Sequence, residues 1–226
     1  VLNDQDAPRY YQQTGDENLS LIRDLPFAFR LEGWLRHETA SGSELDLSVP
    51  FNLKLLSGGA ITKNVAYYFY FFLSERGEVA GVEDAFIMFN NLFGSELDVI
   101  LGQFQVSDPL FKRELRLTYE DYHVYGAAPG ESGINLKYDR GIMLTYGFPT
   151  GTDVVLEVVN GSGIGPAEGD TRVYDNDKYK NIMGRVSQDI NKYLRVGGFG
   201  YYGKEADEAD LRNEVWMAGA DATVNG

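Results

Sequence analysis

The chain has 226 residues with 34 acidic and 20 basic side chains, giving a formal net charge of −14, and it has no cysteine. This acidic balance argues against a nucleic-acid-binding protein, because such a surface needs an excess of basic side chains to displace counterions from phosphates. The lack of cysteine excludes disulfides, thiol chemistry and a Cys-x-x-Cys-His haem attachment within these residues. No apolar run reaches the ~20 residues that a membrane-spanning helix needs.

Residues 1–26 are polar and show no periodicity, so they are predicted to form a leader outside the main fold, on the periplasmic side. From residue 27 onward, apolar and polar residues alternate with a period of two, which is typical of strands with one dry face and one wet face. The clearest example is Leu45–Leu55, where one face is predicted to carry Leu45, Leu47, Val49, Phe51, Leu53 and Leu55. Pro50 does not fit this strand, because proline cannot donate a ladder hydrogen bond.

Ten strands are predicted over Phe27–His37, Leu45–Leu55, Val65–Ser74, Asp84–Asn90, Leu97–Phe104, Leu136–Tyr146, Val154–Asn160, Tyr179–Ile190, Tyr193–Gly203 and Asn213–Thr223. Short turns at 92–96, 148–152 and 191–192 alternate with long connections at 105–134, 161–178 and 204–210. The predicted connection Leu56–Asn64 is long for a short-turn position.

Alternating short and long connections are typical of a membrane barrel with short periplasmic turns and long external loops. The predicted fold is therefore all-β: residues 27–226 form an antiparallel transmembrane β-barrel, with long external loops at 105–134 and 161–178. About ten of its strands lie in this sequence, which is expected to be part of a larger barrel. The alternative is a soluble β-sandwich or adhesin domain.

A resemblance to a known family rests on Val82–Tyr125. The runs Glu83–Phe89 and Leu97–Phe104, Glu-Asp-Ala-Phe-Ile-Met-Phe and Leu-Asp-Val-Ile-Leu-Gly-Gln-Phe, resemble paired strands of outer-membrane porins of the phosphate-selective type. The runs Ser107–Glu114 and Leu117–Tyr122 resemble a neighbouring group of porin-like barrels that accompany, or are fused to, cytochromes c. Together the resemblance covers about residues 25–160.

The resemblance implies a location in the outer membrane of a Gram-negative bacterium, with membrane lipid and small solutes or ions as partners. It also implies a possible separate cytochrome c partner. Haem attachment is not carried over, because the required cysteines are absent. The predicted function is a porin-like channel for passive diffusion, and the alternative is a barrel sheath that holds or docks a cytochrome for electron transfer across the membrane. The sequence predicts no oligomeric state.

No enzyme, cofactor or metal site is predicted, because the sequence has no nucleophile motif, phosphate loop or metal-ligand spacing. His37 and His123 are interpreted as ordinary polar histidines. Asp175-Asn176-Asp177 is interpreted as a solvated acidic loop, because the glycine and distal glutamate of an EF-hand loop are missing.

The candidate site is electrostatic. If the apolar faces of the strands contact lipid, the opposite faces line the lumen and carry charged side chains. Such charges set the ion selectivity of narrow pores. The predicted pore-lining residues are Arg30, Glu32, Arg36, Asp46, Lys54, Arg185, Asp189 and Arg195. A constriction is predicted in the loop Ser107–Tyr125, from Asp108, Lys112, Arg113, Glu114, Arg116, Glu120 and Asp121. The alternative is that all of these side chains are merely solvated.

Overall fold

The computed structural model of the protein describes residues 27–39, 44–113, 116, 118–130, 132–167, 173–175, 177–206 and 212–224. The leader predicted for residues 1–26 lies outside these described residues. Within them, no helix is long and apolar enough to cross a membrane.

The described residues form ten strands in one antiparallel sheet, and the order of the strands in the sheet follows the chain. The strands are β1 (Phe27–Glu38), β2 (Glu44–Thr62), β3 (Val65–Glu75), β4 (Gly81–Phe89), β5 (Leu97–Gln105), β6 (Tyr138–Gly147), β7 (Thr152–Val159), β8 (Asn181–Asn191), β9 (Leu194–Ala206) and β10 (Arg212–Val224). A short 3-10 turn, Leu92–Gly94, lies between β4 and β5. The prediction of an all-β antiparallel fold with about ten strands is confirmed.

The predicted connection Leu56–Asn64 is wrong, because β2 continues to Thr62 and turns into β3 at residues 63–64. Gly58 and Gly59 lie inside the ladder, opposite Tyr68 and Tyr67. A Cβ on Gly58 would approach the Tyr68 ring to 3.0 Å, so this glycine makes room for a cross-strand aromatic instead of ending the strand. The β2–β3 connection is therefore a short turn at residues 63–64, which fits the alternation of short and long connections along the chain.

The chain forms two compact units, Val1–Ile87 and Met88–Gly226. In the first unit, most apolar residues of β1 and those at the start of β2, residues 45–49, are exposed. Leu31, Leu35, Leu45 and Leu47 are 61–71% exposed, whereas Lys54, in the second half of β2, is fully buried. The first unit therefore exposes apolar side chains along β1 and the start of β2, while Lys54 is buried together with the aromatic residues Phe51, Tyr70 and Phe72.

Phe51 departs from the predicted apolar face. It is buried, and its ring packs edge-to-face against Trp34 with the centroids 6.4 Å apart. The register between β1 and β2 shifts between Glu32 and Trp34, so that extra residues of β2, Pro50 among them, lie opposite Gly33. This irregularity turns Phe51 away from Val49, which stays exposed, and it places Pro50 where the regular ladder is interrupted.

In the second unit, register assigns every residue of β5–β10 to one of two faces. The first, here called the apolar face, includes the exposed residues Leu101, Ile142, Leu156, Val158, Ile182, Val186, Val196, Trp216 and Val224. The second, here called the carboxylate face, includes the buried residues Phe104, Asp139, Met143, Glu157, Asn181, Met183 and Tyr201. The second unit therefore also exposes its apolar face and buries charged groups on the other.

The connection between β5 and β6, residues 106–137, crosses the carboxylate face. The Gly133 N–H donates to Glu205 Oε2 on β9 at 3.1 Å. Ile134 is buried, and its Cδ1 lies 3.0 Å from where Gly203 would carry a Cβ. The β5–β6 connection therefore reaches from β6 to β9 and covers part of the carboxylate face.

Candidate functional site

In the first unit, three predicted pore-lining residues meet on one face of β1 and β2. Arg30 Nε lies 2.9 Å from Glu32 Oε1, and Lys54 Nζ lies 3.7 Å from the same oxygen. Asn52 Nδ2 donates to Glu32 Oε2 at 2.7 Å. Register places Arg30 directly opposite Lys54 and Glu32 directly opposite Asn52. Glu32 therefore joins two cations and an amide in one network.

Lys54 is fully buried, and aromatic rings surround its ammonium group. Nζ lies 4.4 Å from the Phe72 ring centroid and 5.4 Å from that of Tyr70. Tyr70 in turn donates from its hydroxyl to the Glu83 carboxylate. Cation–π contacts and the nearby Glu32 carboxylate compensate for part of the desolvation of the buried amine.

Replacing Lys54 by methionine is expected to destabilise the first unit by about 3 kcal/mol, because removing one member of a buried charged network leaves its partners incompletely compensated. The free energy of unfolding in urea, measured for both variants and the unmodified protein, gives this value. Lys112→Met is the matched control, since the Lys112 side chain is 50% exposed. Equal stability of the two variants would contradict the buried network.

Arg36 and Asp46 are also brought together, but at an exposed position. They lie opposite each other in the β1–β2 ladder, and both are exposed. Ser48 Oγ donates to Asp46 Oδ2 at 2.6 Å. Charges at such exposed positions contribute little to stability.

In the second unit, the three predicted pore-lining residues lie on the carboxylate face, in two ion-pair groups. Arg185 spans from β8 to Asp221 on β10 in a bidentate pair, with distances of 3.1 Å from Nε and 2.5 Å from Nη2. Arg195 donates to Asp189 at 2.6 and 2.9 Å and also pairs with Asp153. The guanidinium of Arg185 passes over Gly197, where a Cβ would lie 2.7 Å from Nη2.

Sequence reasoning missed the most buried charged residue on this face, Glu157. It is fully buried, and register places it between Met143 and Met183. Two further carboxylates, Asp108 from the β5–β6 connection and Asp139 from β6, act on it electrostatically. Asp139 accepts hydrogen bonds from the N–H groups of Arg140 and Gly161, at 2.7 and 2.6 Å.

Three of the predicted constriction residues, Arg113, Arg116 and Asp121, meet within the β5–β6 connection. Arg113 donates to both oxygens of Asp121, and Arg116 Nη1 lies 3.2 Å from Asp121 Oδ1. The Arg113 guanidinium lies 4.9 Å from the ring centroid of Tyr125. Asp108 pairs with Lys112, and the Glu120 carbonyl accepts from Thr118. Glu114 lies outside the described residues.

The remaining candidates do not join these groups. His37 and His123 are exposed. Asp175 pairs with Lys180, and Asp177 accepts hydrogen bonds from the backbone N–H groups of Tyr179 and Ala206. Across the part of the chain that the structure describes, no cluster of three or more His, Asp or Glu side chains could hold a metal ion.

No family model matches the chain, and comparisons with curated proteins and with solved structures find no match either. The porin resemblance therefore depends on the motifs of Val82–Tyr125 alone. A functional interpretation has to come from the geometry of the sheet and from the charges on its two faces.

Proposed function

We propose that the chain forms strands of a porin-type β-barrel in the outer membrane of a Gram-negative bacterium, and that the barrel passes small solutes or ions by diffusion. The observation that carries this proposal is an exposed apolar face within each unit. The opposite face carries buried or paired charged side chains beside buried apolar ones. A soluble sandwich needs a second layer to cover an apolar face, whereas lipid covers that face in a membrane barrel.

The positions of aromatic residues in the second unit also support a membrane. Each short turn carries an exposed aromatic, namely Phe93, Phe148 and Tyr193. At the other end of the apolar face, Tyr202 and Trp216 form an edge-to-face pair with centroids 6.1 Å apart. Aromatic side chains favour the two interfaces of a membrane, where an apolar ring meets a polar boundary.

The distance between these two aromatic groups matches a bilayer. Tyr193 and Tyr202 are separated by nine steps along the chain (202 − 193), most of them within β9. At ~3.3 Å per residue this is about 30 Å. A strand tilt of ~40° reduces it to about 23 Å along the membrane normal, close to the ~25 Å apolar band of outer-membrane barrels.

Charged side chains lie on the faces opposite the apolar ones. They favour a channel that passes solutes rather than a purely structural barrel. Arg30, Glu32 and Lys54 in the first unit, and Arg185, Asp189 and Arg195 in the second, are held by ion pairs in fixed positions. Fixed charges of this kind act strongly on an ion that loses part of its hydration shell.

The test is planar-bilayer conductance of the full chain purified from outer membranes in detergent. We expect heat-modifiable migration on a gel and stepwise current increases on insertion, with the heat-denatured protein as the control. An intact barrel without current that copurifies with haem would support a cytochrome sheath instead. Protein that stays in aqueous solution without detergent and shows no heat-modifiable migration would refute the barrel.

A further inference from the structure

Register places two arginines of the described strands β5–β10 on the carboxylate face, and both are held there by carboxylates. Arg185 on β8 reaches across β9 to Asp221 on β10, and its Nε and Nη2 donate to the two carboxylate oxygens at 3.1 and 2.5 Å. Arg195 on β9 donates from Nε and Nη2 to Asp189 at 2.6 and 2.9 Å, and its Nη1 pairs with Asp153. The Nε–Nη2 edge of each guanidinium is therefore occupied by a carboxylate of the same sheet.

The path of the Arg185 side chain depends on a glycine. Asp221 lies directly opposite Gly197 in the β9–β10 ladder. A Cβ on Gly197 would lie 2.7 Å from Arg185 Nη2 and 2.8 Å from Asp221 Oδ2. Because no side chain stands at this position, the arginine crosses β9 close to the backbone and meets Asp221 two strands away.

In each of these contacts the carboxylate is more exposed than the arginine. The side chain of Arg185 is 9% exposed and that of Asp221 is 23% exposed. The side chain of Arg195 is 32% exposed, whereas those of Asp153 and Asp189 are 38% and 45% exposed. Three negative charges accompany two positive ones, so the paired groups together are net negative. A solute that reaches this face meets carboxylate oxygens in preference to guanidinium N–H groups.

This arrangement does not suit the recognition of an anion by arginine. A guanidinium binds a phosphate or carboxylate best through two parallel N–H donors. At Arg185 and Arg195 such a pair of donors already holds a carboxylate of the chain. An anionic solute would have to displace that carboxylate and remain beside its negative charge.

We propose that Arg185 and Arg195 are positioning residues, which hold Asp221, Asp153 and Asp189 in place on the channel wall, and that this wall rejects anionic solutes. This inference rests on the proposed channel function and names the class of solute that the channel excludes. A passage lined by one sign of net charge excludes ions of the same sign. Asp221 determines the specificity at Arg185, because it occupies the donors that an anion would need.

The test uses the full chain in a planar bilayer that separates two KCl concentrations, with inorganic phosphate as the anionic probe. In the wild type we expect a reversal potential that favours K⁺ over Cl⁻, and a current that phosphate does not reduce. In Asp221→Asn, which keeps the shape of the side chain, Arg185 loses its charged partner. The ratio of K⁺ to Cl⁻ permeability is expected to fall severalfold, and phosphate is expected to reduce the current.

Two further variants separate the release of Arg185 from the loss of a negative charge alone. Asp221→Asn combined with Arg185→Gln lacks the guanidinium, so we expect its current to be insensitive to phosphate again. Glu214→Gln removes a negative charge that is paired with Lys204 on the apolar-face side of β10. It is expected to match the wild type in both measurements.

A wild-type channel that prefers Cl⁻, does not discriminate, or loses current in phosphate would overturn the inference, even if Asp221→Asn failed to fold. A folded Asp221→Asn channel that behaved like the wild type would refute the role of Asp221, as would a double variant that stayed sensitive to phosphate. Absence of any current in the wild type would instead count against the channel itself. Failure of this inference is therefore distinguishable from failure of the proposed function.

Discussion

Arginine in place of Leu144 is expected to prevent stable insertion into lipid, with a loss of about 2–4 kcal/mol in the free energy of folding into vesicles. Leu144 lies on the apolar face of β6, paired with Val99 on β5 and Leu156 on β7. A charge at this depth must stay in hydrocarbon or distort the bilayer to reach water. Urea titration of the protein folded into lipid vesicles measures the loss.

The next residue along β6 is the matched control. Thr145 points to the carboxylate face, where Asp98 lies opposite on β5. Thr145→Arg introduces the same side chain one residue away, and we expect it to fold into vesicles with little loss. If both variants folded equally well, the apolar face would not contact lipid, and the barrel proposal would fail.

Alanine in place of Gly141 is expected to destabilise the second unit by about 3 kcal/mol. A Cβ at this position would lie 2.2 Å from the Val158 carbonyl oxygen and 2.8 Å from the Val159 Cα. Both atoms belong to the backbone of β7, which cannot move aside without breaking the β6–β7 ladder. The midpoint of heat-induced migration on a gel, together with urea unfolding, measures the change.

Gly200 in β9 provides the comparison for this variant. It is also a strand glycine, but a Cβ there would meet nothing within 4 Å. Gly200→Ala is expected to leave stability unchanged or to raise it slightly, because alanine reduces the conformational entropy of the unfolded chain. A similar loss in both variants would show that the contact with β7 is not the cause.

Much of the fold could be predicted, because alternation with a period of two is a local property of the sequence. The predicted Phe27–His37 and Asn213–Thr223 agree with β1 and β10 to within a residue at each end. The extension of β2 could not be predicted in this way. Ser57-Gly58-Gly59 has the composition of a turn, and only the facing tyrosines of β3 explain why glycine continues the strand.

The candidate site was predictable only where charges alternate within one strand or between adjacent strands. Arg30, Glu32 and Lys54 were predicted to share a face, and they are in contact. Glu157 was missed because its strand, Thr-Asp-Val-Val-Leu-Glu-Val-Val, is apolar on both sides of it. The face on which Glu157 lies follows only from its position opposite Met143 on β6 and Met183 on β8. Likewise, Asp221 is separated from Arg185 by 36 residues and by the whole of β9.

The β5–β6 connection differs from the ladder in the length of the loops that its contacts close. Each strand pairs with its neighbours in the chain, so the ladder can grow hairpin by hairpin with little loss of loop entropy. The contact of Gly133 with Glu205 joins residues 72 apart in the chain. Closing so long a loop costs less entropy once the strands between them have paired, so we expect this contact to form late in folding.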